Sequence, residues 1–254
     1  MDPTPIIAMV ISMFAIVGGN ALEGGHLGSL IVPTAFIIVM GGTLGATMLA
    51  CTNEDLKGCL VLTKRLVFTG YSDRRKLLDE IVKVSNVARR DGMLAVETLL
   101  DGIDDEFLKR GLRMLVDGSS ADEVRRAMEP EMELAEHHST AAAKVWETAG
   151  GYCPTIGILG AVLGLIHVMG NLDKPEMLGA GIAVAFIGTV YGVGFANLFF
   201  LPMGNRLKKI VGRDAETRNM VLMGVVGIAA GINARQIGEM LAPFAHSTGE
   251  KKAA

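Results

Sequence analysis

Basic residues are missing from the start of this 254-residue chain: no Lys or Arg occurs before Lys57. A first segment without a basic region is not expected to be a cleaved signal peptide. The three cysteines, Cys51, Cys59 and Cys153, show no CxxC spacing, so neither a disulfide nor a zinc site is expected and they read as small apolar filler. No nucleotide-binding loop, metal cluster or nucleophile triad is visible. His137 and His138 are the nearest thing to a ligand pair. Side chains adjacent on a helix point about 100° apart, so these two do not share a metal and read as a solvated face. A net charge of −3 implies no nucleic-acid partner. Strand-like alternation is absent, and nothing points to an enzyme fold or to a cofactor.

What the chain has is long apolar stretches. The organising one is Gly150 to Pro202, which forms two arms around the polar break NLDKPE. Each arm is about long enough to cross a hydrocarbon core of ~30 Å. Pro5 to Gly19 is a shorter first span, and Ser29 to Ala50 is a second, with Pro33 near its outer end where a missing hydrogen bond costs least. Asn20 to Gly28 reads as a tight polar turn, which makes the first two spans antiparallel neighbours. Of the 24 basic residues, 15 lie between Lys57 and Lys144 and 8 between Arg206 and Lys252. Basic residues favour the cytoplasmic side. The central block, both termini and the tail are therefore expected inside, and the loop with Lys174 outside.

The pattern predicts an all-α, polytopic membrane protein with four transmembrane helices and an all-helical cytoplasmic domain. The divisions are residues 1–50 for the first hairpin, 51–148 for the cytoplasmic domain, 149–203 for the third and fourth spans, and 204–254 for a cytoplasmic C-terminal helix and tail. Within the domain, Asp55 to Phe68 and Asp73 to Arg90 carry apolar residues at helical spacing. Gly92 marks a break before Met93 to Leu100, and Asp104 to Val116 closes at Gly118, which can take a left-handed cap. Ser120 and Glu123 have the spacing of a capping box, opening a helix expected to bend or restart near Pro130. The apolar run around Val221, Val225 and Ile228 reads as a buried helix rather than a fifth span, which would place Arg235 outside. The end, from His246, is expected to be disordered.

Small residues mark both arms of the organising stretch: Gly160 and Gly164 on the third span, and Gly181, Ala185, Gly188, Gly192 and Ala196 on the fourth. Such ridges let helix backbones approach closely in lipid. The surplus of small residues on both helices points to both packing of the two helices on each other and packing around another protein's helix. Thr189 is the one hydroxyl buried in mid-span, and it either bonds back to the Ala185 carbonyl or lines a hydrated ion path. His167, about 20 Å along the helix from Pro154, reads as an interfacial histidine. None of the four spans contains Asp, Glu, Lys or Arg. Ion-coupled transporters carry intramembrane carboxylates, so if this protein conducts ions the titrating group must come from a partner.

These features resemble the MotA/PomA family of flagellar stator subunits, within the MotA/TolQ/ExbB proton-channel superfamily. The resemblance rests on the order of spans and on ARRDGMLAVE (Ala88 to Glu97), LVDGSSADEVRRAME, PTIGILGAVLGLIHVMGNLDKP and IGTVYGVGFANLFFLP. It implies a five-fold ring around helices of a MotB-like, single-span, peptidoglycan-binding partner that supplies the missing membrane aspartate, with the cytoplasmic domain pushing a rotor switch-complex protein. Arg90 and Glu97 match the family's charged pair for rotor contact, and Arg89 is a weaker match. Pro154 and Pro202 match the prolines that couple ion binding to conformational change. Ala161 and Thr189 fall in the ion pathway; sodium-driven members tend to carry Thr where this chain has Ala161, whereas Thr189 occurs in both groups, so Ala161 with the LIHV run implies protons as the transported ion. Four spans set the chain apart from the three-span ExbB/TolQ energisers of outer-membrane processes, the alternative reading. A purely structural membrane scaffold is the third.

Overall fold

The computed structural model describes residues 3–68, 73–172 and 175–246. Lys174, expected in an outer loop, and the tail from residue 247 onward, expected to be disordered, lie outside the described residues. Every regular element among the described residues is helical. The chain divides into two compact units, Met1–Gly70 with His138–Lys209, and Tyr71–His137 with Ile210–Ala254.

The first unit holds four helices long and apolar enough to cross a membrane. Helix α1 (Thr4–Leu22) spans 19 residues. It runs past the expected stop at Gly19 because the backbone conformation that ends it comes only at Gly24, with φ of +85°. Asn20 is thus helical, and the first span gains the length its sequence seemed to lack. The second span opens with a 3-10 turn, Leu27–Leu30, and continues as α2 (Pro33–Phe36), a π-helical turn (Ile37–Gly41) and α3 (Gly42–Ala50). Pro33 is the first residue of α2, where no intrahelical partner exists for an N–H. Helix α4 (Asn53–Phe68) follows, capped reciprocally by Thr52 and Asp55. Its buried stripe runs through Cys59, Leu62 and Leu66, while Leu60 points outward.

Helix α8 (Ala121–Met169) is continuous for 49 residues. The helix does not restart at Pro130. Arg126 and Pro130 are both exposed, so the carbonyl freed by the missing N–H faces solvent. The fourth span's helix likewise does not stop at Pro202. Helix α9 (Pro175–Phe195) passes through a π-helical turn (Ala196–Phe200) straight into α10 (Leu201–Ala229). The wider turn lies directly before the residue that cannot donate to the Leu198 carbonyl, a local adjustment that lets the helix absorb the proline.

The second unit is a packed helical domain. Helix α5 (Arg74–Asp91) is capped by Asp73, whose carboxylate accepts from the N–H groups of Arg75 and Lys76 at 3.0 and 3.3 Å. It stops at Gly92, φ +85°, and α6 (Met93–Leu100) begins at once. Asp105 caps α7 (Glu106–Val116), which closes at Gly118, φ +89°. The expected capping box is present: the Ser120 N–H donates to the Glu123 carboxylate at 2.8 Å. Gly231, φ +71°, separates α10 from α11 (Ala234–His246). Ile81, Val96, Leu108, Leu112, Val124, Met128, Met220, Val225, Ile237 and Leu241 bury together as one core. The apolar run Val221 to Ile228 belongs to this core, and among the described residues four candidate spans are found, this run not adding a fifth. Arg74 is buried here and donates to Thr217, to the carbonyls of Arg213 and Phe244, and to Glu216, tying α5 to α10 and α11.

Candidate functional site: an uncovered face of the third and fourth spans

Helices α8 and α9 meet backbone to backbone. A Cβ added at Gly157 would lie 2.9 Å from both the Gly188 carbonyl oxygen and the Gly192 Cα. One at Gly192 would lie 2.8 Å from the Cys153 carbonyl, and one at Gly164 would lie 2.9 Å from the Ala185 nitrogen. At Gly181 it would come within 2.5 Å of the Val168 side chain. The helices are therefore antiparallel, and the small-residue ridge of the fourth span is consumed inside the chain. This is the first of the two packings expected from sequence, the third helix on the fourth. Gly157, which sequence reading passed over, is the centre of the contact. Its signal was present as the i−3 and i−7 neighbour of Gly160 and Gly164.

The second span covers one flank of this pair. Gly160 faces Ile38 and Val39, and Gly42 faces Ile156. On α9 the Tyr191 hydroxyl donates to the Leu30 carbonyl at 2.5 Å and accepts from the Val32 N–H at 3.2 Å. Phe36 packs edge-on against Tyr191 and Phe195.

The opposite flank is open. At about 100° per residue, Pro154, Ile158, Ala161 and Leu165 fall within a quarter turn or so of the Gly157–Gly164 contact line, on the side away from Gly160. On the antiparallel α9, Ile182, Phe186, Thr189 and Val193 fall on the same side. Ile158, Leu165, Ile182, Phe186 and Val193 are exposed, Phe186 by 70%. Ala161 and Thr189 share a level, because the Cβ direction of Gly188 points at the Ala161 nitrogen, 3.5 Å away. Three of the predicted pathway residues, Pro154, Ala161 and Thr189, are thus brought onto one face, each half-buried. Thr189 Oγ1 lies 3.5 Å from the Ala185 carbonyl, the far limit of a hydrogen bond, so the hydroxyl is not strongly committed to its own helix. Thr189 also lines an apolar groove of about 590 Å³ between α1 and α9, with Met13, Ile16 and Val17 across from it. Pro202 is exposed and stands apart from this face, beyond the π-helical turn.

The ends of these spans are tied together. Trp146 donates its indole N–H to Thr63 at 2.9 Å and stacks on Phe200 at 5.7 Å. Lys208 pairs with Glu147 at 2.5 Å. In the second unit, Arg89, Arg90 and Glu97 are all exposed around the α5–α6 junction. The Arg90 guanidinium bonds both carboxylate oxygens of Asp91, at 2.7 to 3.1 Å. That hydrogen bond holds the Asp91 carboxyl below the usual carboxylate range and raises the Arg90 guanidinium. Leu94, 76% exposed, stands between the charged residues. Neither the Arg90–Asp91 pair nor the exposed Leu94 was singled out from sequence.

An all-helical chain with four apolar spans is a multi-pass membrane protein, and its uncovered face invites further helices. Comparison with known proteins defines the family. Residues 100–220 match the MotA/TolQ/ExbB proton channel family, and residues 6–92 match the motility protein A N-terminal family. Motility protein A of Bacillus subtilis is 33% identical over 91% of this chain and 86% of its own length. Chemotaxis protein PomA of Vibrio alginolyticus is 30% identical over 95% and 94%. The structure of C. jejuni MotAB superimposes with a TM-score of 0.93 at 33% identity, covering 100% of this chain and 99% of the other. The flagellar MotAB stator complex from Bacillus subtilis gives 0.86 at 31%, covering 98% and 100%. The chain belongs to the MotA/PomA family of flagellar stator subunits.

Proposed function

We propose that this chain is the ion-channel subunit of a flagellar stator, working with a MotB-like single-span partner anchored to peptidoglycan. One observation carries the reading: the Pro154–Ala161–Thr189 side of the helix pair presents exposed apolar side chains, Ile158, Leu165 and Phe186 among them, and no carboxylate. A partner helix bearing an aspartate supplies what that face lacks, since an ion crossing hydrocarbon needs a charged or polar relay. Several copies arranged as a ring, five by resemblance, would enclose the partner's helices. Binding and release at the aspartate would then move the α8–α9 pair at Pro154 and Pro202. Arg89, Arg90 and Glu97 would pass that motion to the rotor's switch-complex protein. The concentration of basic residues in 57–144 and 206–252 supports an inner-membrane placement with both termini cytoplasmic. The match to the motility protein A N-terminal family and four candidate spans favour the motor over an ExbB/TolQ-like energiser.

The transported ion is the proton. Sodium needs several oxygen ligands, and Ala161 presents a methyl group beside Thr189 where a second hydroxyl would help. Swimming speed of cells carrying this subunit and its partner should follow the proton-motive force and ignore external sodium. Ala161→Thr should leave assembly intact. Strict sodium dependence of the unaltered protein overturns the ion assignment, and full swimming after Pro154→Ala overturns the coupling role.

A further inference from the structure

The pairing at the ends of the third and fourth spans is more than a surface salt bridge. Glu147 and Lys208 are only 25% and 40% exposed, and their charged atoms lie 2.5 Å apart. Gly204, one turn ahead of Lys208, is packed on the same carboxylate-bearing residue. A Cβ there would lie 2.7 Å from the Glu147 Cγ and 3.3 Å from its nitrogen. Gly150 makes the reciprocal approach, with a Cβ direction 2.6 Å from the Leu201 side chain. The neighbouring Trp146 is fixed on both sides, by its hydrogen bond to Thr63 and by its stack on Phe200, the last residue of the π-helical turn. Glu147 precedes Pro154 by about two turns and Lys208 follows Pro202 by less than two. Each helix thus carries a weak point, and the pair lies on the same side of both.

We propose that Glu147 and Lys208 form a latch that makes the ends of these two helices move as one body when the prolines flex. Without it, bending at Pro154 and bending at Pro202 are independent, and motion started at the Ala161–Thr189 face dissipates before it leaves the span. Both act as positioning residues, through the helix ends they join. The inference rests on the reading of the chain as a stator subunit with proline hinges.

The test uses the whole chain with its partner in motile cells. Glu147→Gln and Lys208→Met should each lower swimming speed at least about threefold, with membrane abundance and co-purification of the partner unchanged. The charge swap Glu147→Lys with Lys208→Glu should recover more than half the speed, because the bond rather than either charge is required. A swap that reaches normal abundance but does not swim overturns the latch and makes the carboxylate itself the requirement. Singles that swim like the unaltered protein overturn it too. If a single variant fails to accumulate, the swap at normal abundance is decisive alone: motile supports the latch, immobile overturns it. Failure of the stator reading is a separate result, in which the unaltered chain and its partner confer no motility at all.

Discussion

The two units of this molecule use the same residue types in opposite ways. In the unit around α5 to α7 and the distal part of α10, large apolar side chains such as Ile81, Leu108, Leu112 and Ile237 are fully buried, and among the described residues Arg74 is the one charge buried with them. In the unit with the four spans, glycines and alanines fill the helix contact, while Phe14, Ile158, Ile166 and Phe186 are exposed. Water drives the first arrangement, because apolar area removed from it is worth about 25 cal/mol per Å². Lipid offers no such reward, since its tails are as apolar as leucine, and close backbone contact takes over. A substitution rule learned in one unit therefore fails in the other.

Gly157→Leu should have the largest effect. The atoms a side chain would meet there are the backbone of Gly188 and Gly192, which cannot swing aside. Loss of stable membrane protein and of all motility is expected. Gly151→Ala, six residues earlier and about a third of a turn round the helix, in open space, should be silent in the same assays. Equal tolerance at Gly157 and Gly151 would break the comparison. Leu112→Ala reverses the logic, because shrinking is what hurts a water-driven core. It should cost about 2–5 kcal/mol, read as a lowered midpoint for unfolding of the helical domain in purified complex. A change under about 1 kcal/mol would mean that the core relaxes around the void.

Smaller still is the helix start at Ser120. Ser120→Ala should cost roughly 1 kcal/mol in the same unfolding measurement. The backbone N–H of Ser120, with its hydroxyl, holds the Glu123 carboxyl below its ordinary value. A carboxyl depressed in the folded state adds stability that is present above its ordinary value and is lost as pH falls through the lowered one. Glu123→Gln should remove that acid-side dependence. An unchanged pH profile would show the cap to be inert.

How much was legible in sequence follows the same divide. The helical domain's punctuation was readable, because Gly92, Gly118 and the Ser120–Glu123 box act locally and their chemistry is in the letters. The spans were readable by length and charge. Their partners were not, because a glycine ridge says that something comes close without saying what. Gly188 and Gly192 turned out to face Gly157, and the open face is carried instead by Ala161 and Thr189, one register step round the helix. The helices run on through both prolines, Pro130 with an exposed carbonyl four residues back and Pro202 after a π-helical turn, so neither proline restarts a helix. Those outcomes depend on tertiary surroundings that no local pattern encodes.

The central claim is that the uncovered flank of the third and fourth spans receives the partner's helix. A photo-crosslinking residue placed at Ile158 or Phe186, on that flank, tests it against the same residue at Phe14 on α1. The account predicts covalent capture of the MotB-like partner from Ile158 and Phe186 and none from Phe14. Capture from Phe14 with none from the other two positions would contradict it.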